Sequence, residues 1–122
     1  MCAITPSDME IYRRTARRNK EALEQRRRLW EKYGWSVAEK AASLLKQKFS
    51  ADRVVVFGSL IRPGHFDERS DVDIAVSGVA DSDFLQAVAA VTALDREITV
   101  DLIQIEQASP SLCRQVEEGL EI

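Results

Sequence analysis

Histidine, cysteine and long apolar runs are what this sequence has least of. One histidine, His65, occurs in 122 residues. With no ligand partner nearby in the chain it reads as a loop residue and receives no catalytic role. The two cysteines, Cys2 and Cys113, are too few and too far apart to suggest a zinc site, and read as reduced thiols of a cytoplasmic protein. No apolar run approaches the ~20 residues of a membrane-spanning helix. The segment Met1 to Asp8 has no apolar stretch like that of a signal peptide. Neither repeats nor low-complexity tracts are present. What remains is ordinary for a globular protein: 45% hydrophobic and 30% charged residues, in one domain's worth of chain.

A net charge of −3 conceals an asymmetry. Residues 1–53 carry 13 Lys/Arg against 7 Asp/Glu, a balance of +6, and residues 54–122 carry 4 against 13, a balance of −9. A basic arm is thus joined to an acidic body, which sets a division at 1–35 for a basic N-terminal helix and 36–122 for the main domain. Basic arms suit nucleic acid or acidic partners. Clustered carboxylates suit metal ions.

Asp8 to Lys32 is rich in helix formers and free of Gly and Pro, but its apolar residues are sparse. It reads as a long helix that packs along only part of its length. Gly34 is expected to break it, and Ser36 with Glu39 reads as a capping box that starts a second helix, Val37 to Phe49. Arg53 to Phe57 is a β-branched run, read as a buried strand. Leu60 to Ser70 contains Pro63 and Gly64 and reads mostly as loop. Val72 to Val76 and Ile98 to Ile105 read as strands. Ser82 is expected to cap a helix over Asp83 to Leu94, and Ser109-Pro110 to open a last one ending near Gly119. The fold class is α/β: a small mixed sheet of about three strands, helices packed on one side, and a long N-terminal helix.

Chemistry concentrates in the acidic half. Asp71 and Asp73 lie two apart, so on a strand both carboxylates share a face. Asp101 interrupts an apolar strand, where aspartate is disfavoured and costly unless paired or metal-bound. Gly58-Ser59 follows a buried strand, and such turns offer backbone N–H groups and a small hydroxyl to phosphate. A phosphate grip beside a carboxylate pair is apparatus for phosphoryl or nucleotidyl transfer.

Phe57-Gly58-Ser59, then eleven residues, then Asp71-Val72-Asp73, with Asp101 on a later strand, resembles the polymerase β-type nucleotidyltransferase superfamily. Within it the chain is most similar to the minimal nucleotidyltransferases, over roughly Val37 to Ile122. The commonest spacing in that pattern is ten residues, and Pro63-Gly64 offers a place to absorb the eleventh. Ile61 stands where a small residue is usual, while Arg62 is kept. The resemblance implies a polymerase β-like fold. It also implies that Gly58, Ser59 and Arg62 bind a nucleoside triphosphate, and that Asp71, Asp73 and Asp101 hold two Mg²⁺ ions and form the catalytic set. Asp101 would help activate the acceptor. It further implies an antitoxin that transfers AMP from ATP to a tyrosine of a HEPN-type toxin. Two other readings stay open: an antitoxin that neutralises its partner by binding alone, and a transferase acting on RNA. For the basic helix the readings are a solvated face, a dock for an acidic protein or a second copy, and a nucleic-acid surface. The last is disfavoured because no aromatic side chains interleave the arginines.

Overall fold

The structure is a computed structural model that describes residues 5–122. Cys2 lies outside them. Thr5 opens the first helix through a reciprocal cap. Its hydroxyl accepts from the Asp8 N–H at 3.1 Å, and the Asp8 carboxylate accepts from the Thr5 N–H at 3.2 Å. Pro6 fills the first turn, where its missing N–H leaves nothing unsatisfied. From there α1 (Pro6–Lys48) runs 43 residues without interruption, a rod of about 65 Å.

The break expected at Gly34 is therefore absent, and the 35/36 division falls inside one helix. Ser36 does not cap; its hydroxyl donates to the Tyr33 carbonyl at 2.7 Å. Gly34 is glycine for a steric reason. A Cβ there would stand 2.7 Å from the Phe66 ring and 3.0 Å from a Leu60 methyl carbon. Both neighbours are buried. The helix gives up about 1 kcal/mol of propensity and gains a close seat for the loop that leads to Asp71. Gly34→Ala is expected to destabilise the fold by about 1–3 kcal/mol through overpacking, read as a lower denaturant midpoint. A net stabilisation would show instead that helix propensity outweighs the contact.

Four strands follow: β1 (Arg53–Phe57), β2 (Val72–Ser77), β3 (Val100–Gln104) and β4 (Leu120–Glu121), in sheet order β3-β2-β1-β4. β1 is antiparallel to β2 and to β4, while β2 and β3 are parallel. Between β2 and β3 the chain crosses over through α2 (Asp81–Thr92), which begins after Ala80 without a side-chain cap, so Ser82 lies inside the helix. After β3 comes α3 (Pro110–Glu117), capped by Ser109 at Leu112 N–H as its Ser-Pro start suggests.

One sheet face carries Val54, Val56, Val72, Ile74, Val76 and Val100 against Val37, Ala38, Ala41 and Leu45 of α1 and Ala87 and Val91 of α2. The opposite face carries Val55, Phe57 and Ala75 against Val116 of α3. Helices thus cover both faces, not one. This explains the unbroken apolar run of β1: every residue from Val54 to Phe57 is buried, by α1 and α2 on one side and α3 on the other. The two-residue β4 completes the edge beside β1.

Candidate active site

The alternation that buries Val72 and Ile74 under α1 and α2 turns Asp73 to the opposite face. In β3, Val100 packs into the α1–α2 side, so Asp101 also turns away from it. The parallel register places Asp73 directly beside Asp101. On its other flank Asp73 pairs with Phe57, the last residue of β1. Gly58 comes next in the chain. One register position therefore joins the ends of three strands, and Asp73 sits in the middle of them.

Gly58 has φ +78, a left-handed conformation that favours glycine. It starts a 3-10 turn, Gly58–Ile61, held by the Arg62 N–H donating to the Ser59 carbonyl at 3.1 Å and pinned by buried Leu60. Any Cβ on Gly58 would overlap Oδ2 of Asp73 and lie 3.2 Å from its Cγ. The missing side chain is the space the carboxylate occupies. Ser59 is partly buried in this turn, and Arg62 stands exposed at its end.

Asp71 lies one residue before β2, exposed. Its approach is built by residues that sequence reasoning left in an undifferentiated loop. Phe66 is fully buried and anchors the loop against Gly34. The Asp67 carboxylate accepts from the Arg69 N–H at 2.9 Å and from the Ser70 hydroxyl at 3.2 Å, and the Asp67 N–H donates to Ser70 Oγ at 3.0 Å. Asp-x-x-Ser is a recognisable turn signal that could have been read from the sequence. Pro63-Gly64 forms a turn: the His65 N–H donates to the Arg62 carbonyl at 3.1 Å, with Gly64 at φ +78. His65 is an exposed loop residue.

The carboxylates perturb one another. Burial, then the charges of Asp101 and Asp71, push Asp73 up to about 6. Asp101 is also raised, first by burial, then by the charge of Asp71 and a hydrogen bond with it. Among the described residues the ion pairs are Arg14–Glu10 and Arg53–Glu121, so no cationic side chain neutralises this corner. Three hard oxygen donors without a counter-charge suit a divalent cation. Among the described residues no three acidic, His or Cys side chains close into a cage that would hold an ion unaided. A cation here would need waters or substrate phosphates to complete its coordination. All six sequence-predicted residues thus fall on two neighbouring features, the Gly58–Arg62 turn and the adjoining ends of β2 and β3.

Around the arm, Trp30 stacks on Tyr33 with centroids 5.4 Å apart, and Trp30 and Trp35 pack on the core. Residues 5–22 are exposed. No described helix is long and apolar enough to cross a membrane.

Comparison with known proteins adds to this geometry. Residues 39–122 match the family model described as polymerase beta, nucleotidyltransferase. Seven solved chains are similar to this one, two of them as follows. One, of a protein assigned as a minimal nucleotidyltransferase, is 29% identical with a TM-score of 0.58, over 75% of this chain and 93% of that one. The other is the crystal structure of the toxin-antitoxin MntA-HpeT, in a variant with two aspartates two positions apart changed to glutamate. It is 27% identical with a TM-score of 0.57, over 69% of this chain and 70% of that one. No curated protein sequence matches.

Proposed function

The chain belongs to the polymerase β-type nucleotidyltransferases, and from that premise we propose that it is an antitoxin that transfers AMP from ATP to a tyrosine hydroxyl of a partner HEPN-type toxin. The observation that carries the reading is the register of Asp73 beside Asp101, with the open Gly58 turn on its other flank. The similarity to a toxin-antitoxin structure supports a toxin as the partner, and the two aspartates altered in that structure have the spacing of Asp71 and Asp73.

The N–H groups of the Gly58 turn and the Ser59 hydroxyl would grip the triphosphate, with Arg62 at the mouth of the turn. Asp71, Asp73 and Asp101 would hold two Mg²⁺ ions. When bound, these supply charge neutralisation for the attacking and leaving oxygens. Asp101, at the strand edge beside Asp73, would take the proton of the acceptor hydroxyl. The acceptor oxygen bonds to the α-phosphorus in line, the bond to the β-phosphate bridging oxygen breaks, and pyrophosphate leaves.

The test is incubation of the purified chain with α-labelled ATP, Mg²⁺ and a lysate of its source, with Asp71→Ala/Asp73→Ala as control. Label on a protein band only with the aspartates intact is the expected result. Label on RNA would replace the protein acceptor with a nucleic acid. Failure to transfer any of the four nucleotides would leave an antitoxin that acts by binding alone.

A further inference from the structure

The N-terminal 24 residues of α1, from Pro6 to Leu29, carry eight Lys/Arg and four Asp/Glu. Only Arg14 makes an ion pair among the described residues, with Glu10 at 3.3 Å. The region lies outside the family match, which begins at residue 39. The chain supplies its own complement in the acidic body, where the three uncompensated carboxylates sit. With nucleotide bound, three carboxylates and a triphosphate still outweigh two divalent cations, so the loaded site keeps attracting positive charge.

The chain has two tyrosines. Tyr33 is committed: its hydroxyl donates to Asp95, whose carboxylate also accepts the Glu97 and Ile98 N–H groups, each at 2.8 Å. Tyr12 is 72% exposed on the arm, with Arg13, Arg14 and Arg17 close by in sequence. Guanidinium groups suit the phosphates that an acceptor must approach. Tyr12 cannot reach its own site. It precedes Leu23, where α1 first comes alongside the Asp67–Arg69 loop, by 11 residues of continuous helix, about 16 Å along a rigid rod.

Resting on the nucleotidyl-transfer reading above, we propose that Tyr12 is a self-acceptor: the site of one copy transfers a nucleoside monophosphate to Tyr12 Oη of a second copy. The phenolic oxygen bonds to the α-phosphorus and the bond to the β-phosphate bridging oxygen breaks. Pyrophosphate leaves with that electron pair, and the phenolic proton passes to a site carboxylate and on to water. The product places a phosphodiester anion amid the arm's arginines and lowers its positive charge.

A mixing experiment tests this with α-labelled ATP and Mg²⁺. Tyr12→Phe supplies an active site without the acceptor, and full-length Asp73→Asn supplies the acceptor without an active site. Neither is expected to label alone. The mixture should label only the Asp73→Asn chain, at Tyr12 by peptide mapping. Its initial rate should fall about tenfold or more between low and high salt, as for electrostatically steered encounter. Label on Tyr12→Phe, label mapped elsewhere, or parent chains that label while the mixture does not would each overturn transfer between copies at Tyr12. If Tyr12→Phe labels a lysate protein but the mixture stays blank, the self-acceptor falls and the transferase stands. If nothing is labelled in any reaction, both fall.

Discussion

Asp73→Asn is expected to make the metal-free protein more stable while abolishing its chemistry. At pH 7 the Asp73 carboxylate is held against burial and two like charges, which raise it to about 6 from 3.8. A shift of that size corresponds nominally to about 3 kcal/mol. Solvent screening at a partly buried group reduces it to about 1–2 kcal/mol. An amide of the same shape carries none of that cost, so the midpoint should rise by a few degrees. Transfer should fall on the order of 10³-fold, as when a primary electrostatic element is removed. Thermal unfolding and label transfer, measured on one preparation, check both halves. A variant that loses activity by unfolding would contradict the account.

The same carboxylate gives a pH signature. Because its folded value lies above its unfolded one, the folded state binds a proton first as pH falls. Metal-free stability should therefore rise between about pH 7 and pH 4 at this site, opposite to the usual acid loss of paired carboxylates. Below 3.8 the unfolded chain protonates as well and the gain stops. Mg²⁺ should reverse the slope by stabilising the charged form, so the midpoint gain from Mg²⁺ should be larger at pH 7.5 than at pH 5.5. It should shrink in Asp73→Asn. A parent protein whose stability ignores Mg²⁺ at both pH values would remove Asp73 from the metal site.

The site was more legible than the scaffold around it. Period two alone puts Asp71 and Asp73 on one face, and the β-branched run before Gly58 marks a strand buried from both sides. These are local rules, and local rules also place Thr5 and Asp8 as a cap, a signal the sequence reading passed over. Gly34 shows the opposite case. In the chain it looks like a breaker, but its reason is Phe66, a residue 32 positions away that packs where a Cβ would be. Only the folded contact distinguishes a glycine that ends a helix from one that admits a neighbour. β4 is two residues long, too short to carry any periodicity, and it exists because β1 offers an edge. The second helical layer was hidden for a related reason. The small cluster of Val55, Phe57, Ala75 and Val116 draws residues from three elements, β1, β2 and α3, and α3 adds only Val116 to it, too little for its own sequence to announce a second layer.

Gly58→Ala should inactivate the protein through one methyl group, and Gly64→Ala is its control. Both glycines have φ +78, so each alanine meets about the same backbone cost, of order 1–2 kcal/mol. They differ in what the methyl meets. At Gly64 nothing lies within 4 Å, whereas at Gly58 the methyl would overlap Oδ2 of Asp73. Asp73 cannot back away as a unit, because its strand is paired to β1 on one side and β3 on the other. Only the carboxylate can swing, and swinging takes it from Asp101 and from the turn that would hold phosphate. Gly58→Ala is therefore expected to lose transfer on the order of 10²–10³-fold. Gly64→Ala should lose similar stability from the backbone alone and retain transfer. Denaturant midpoints and initial rates on the two variants separate backbone strain from displacement of the carboxylate. Equal activity in both would mean that the close approach of Gly58 to Asp73 serves packing and not chemistry.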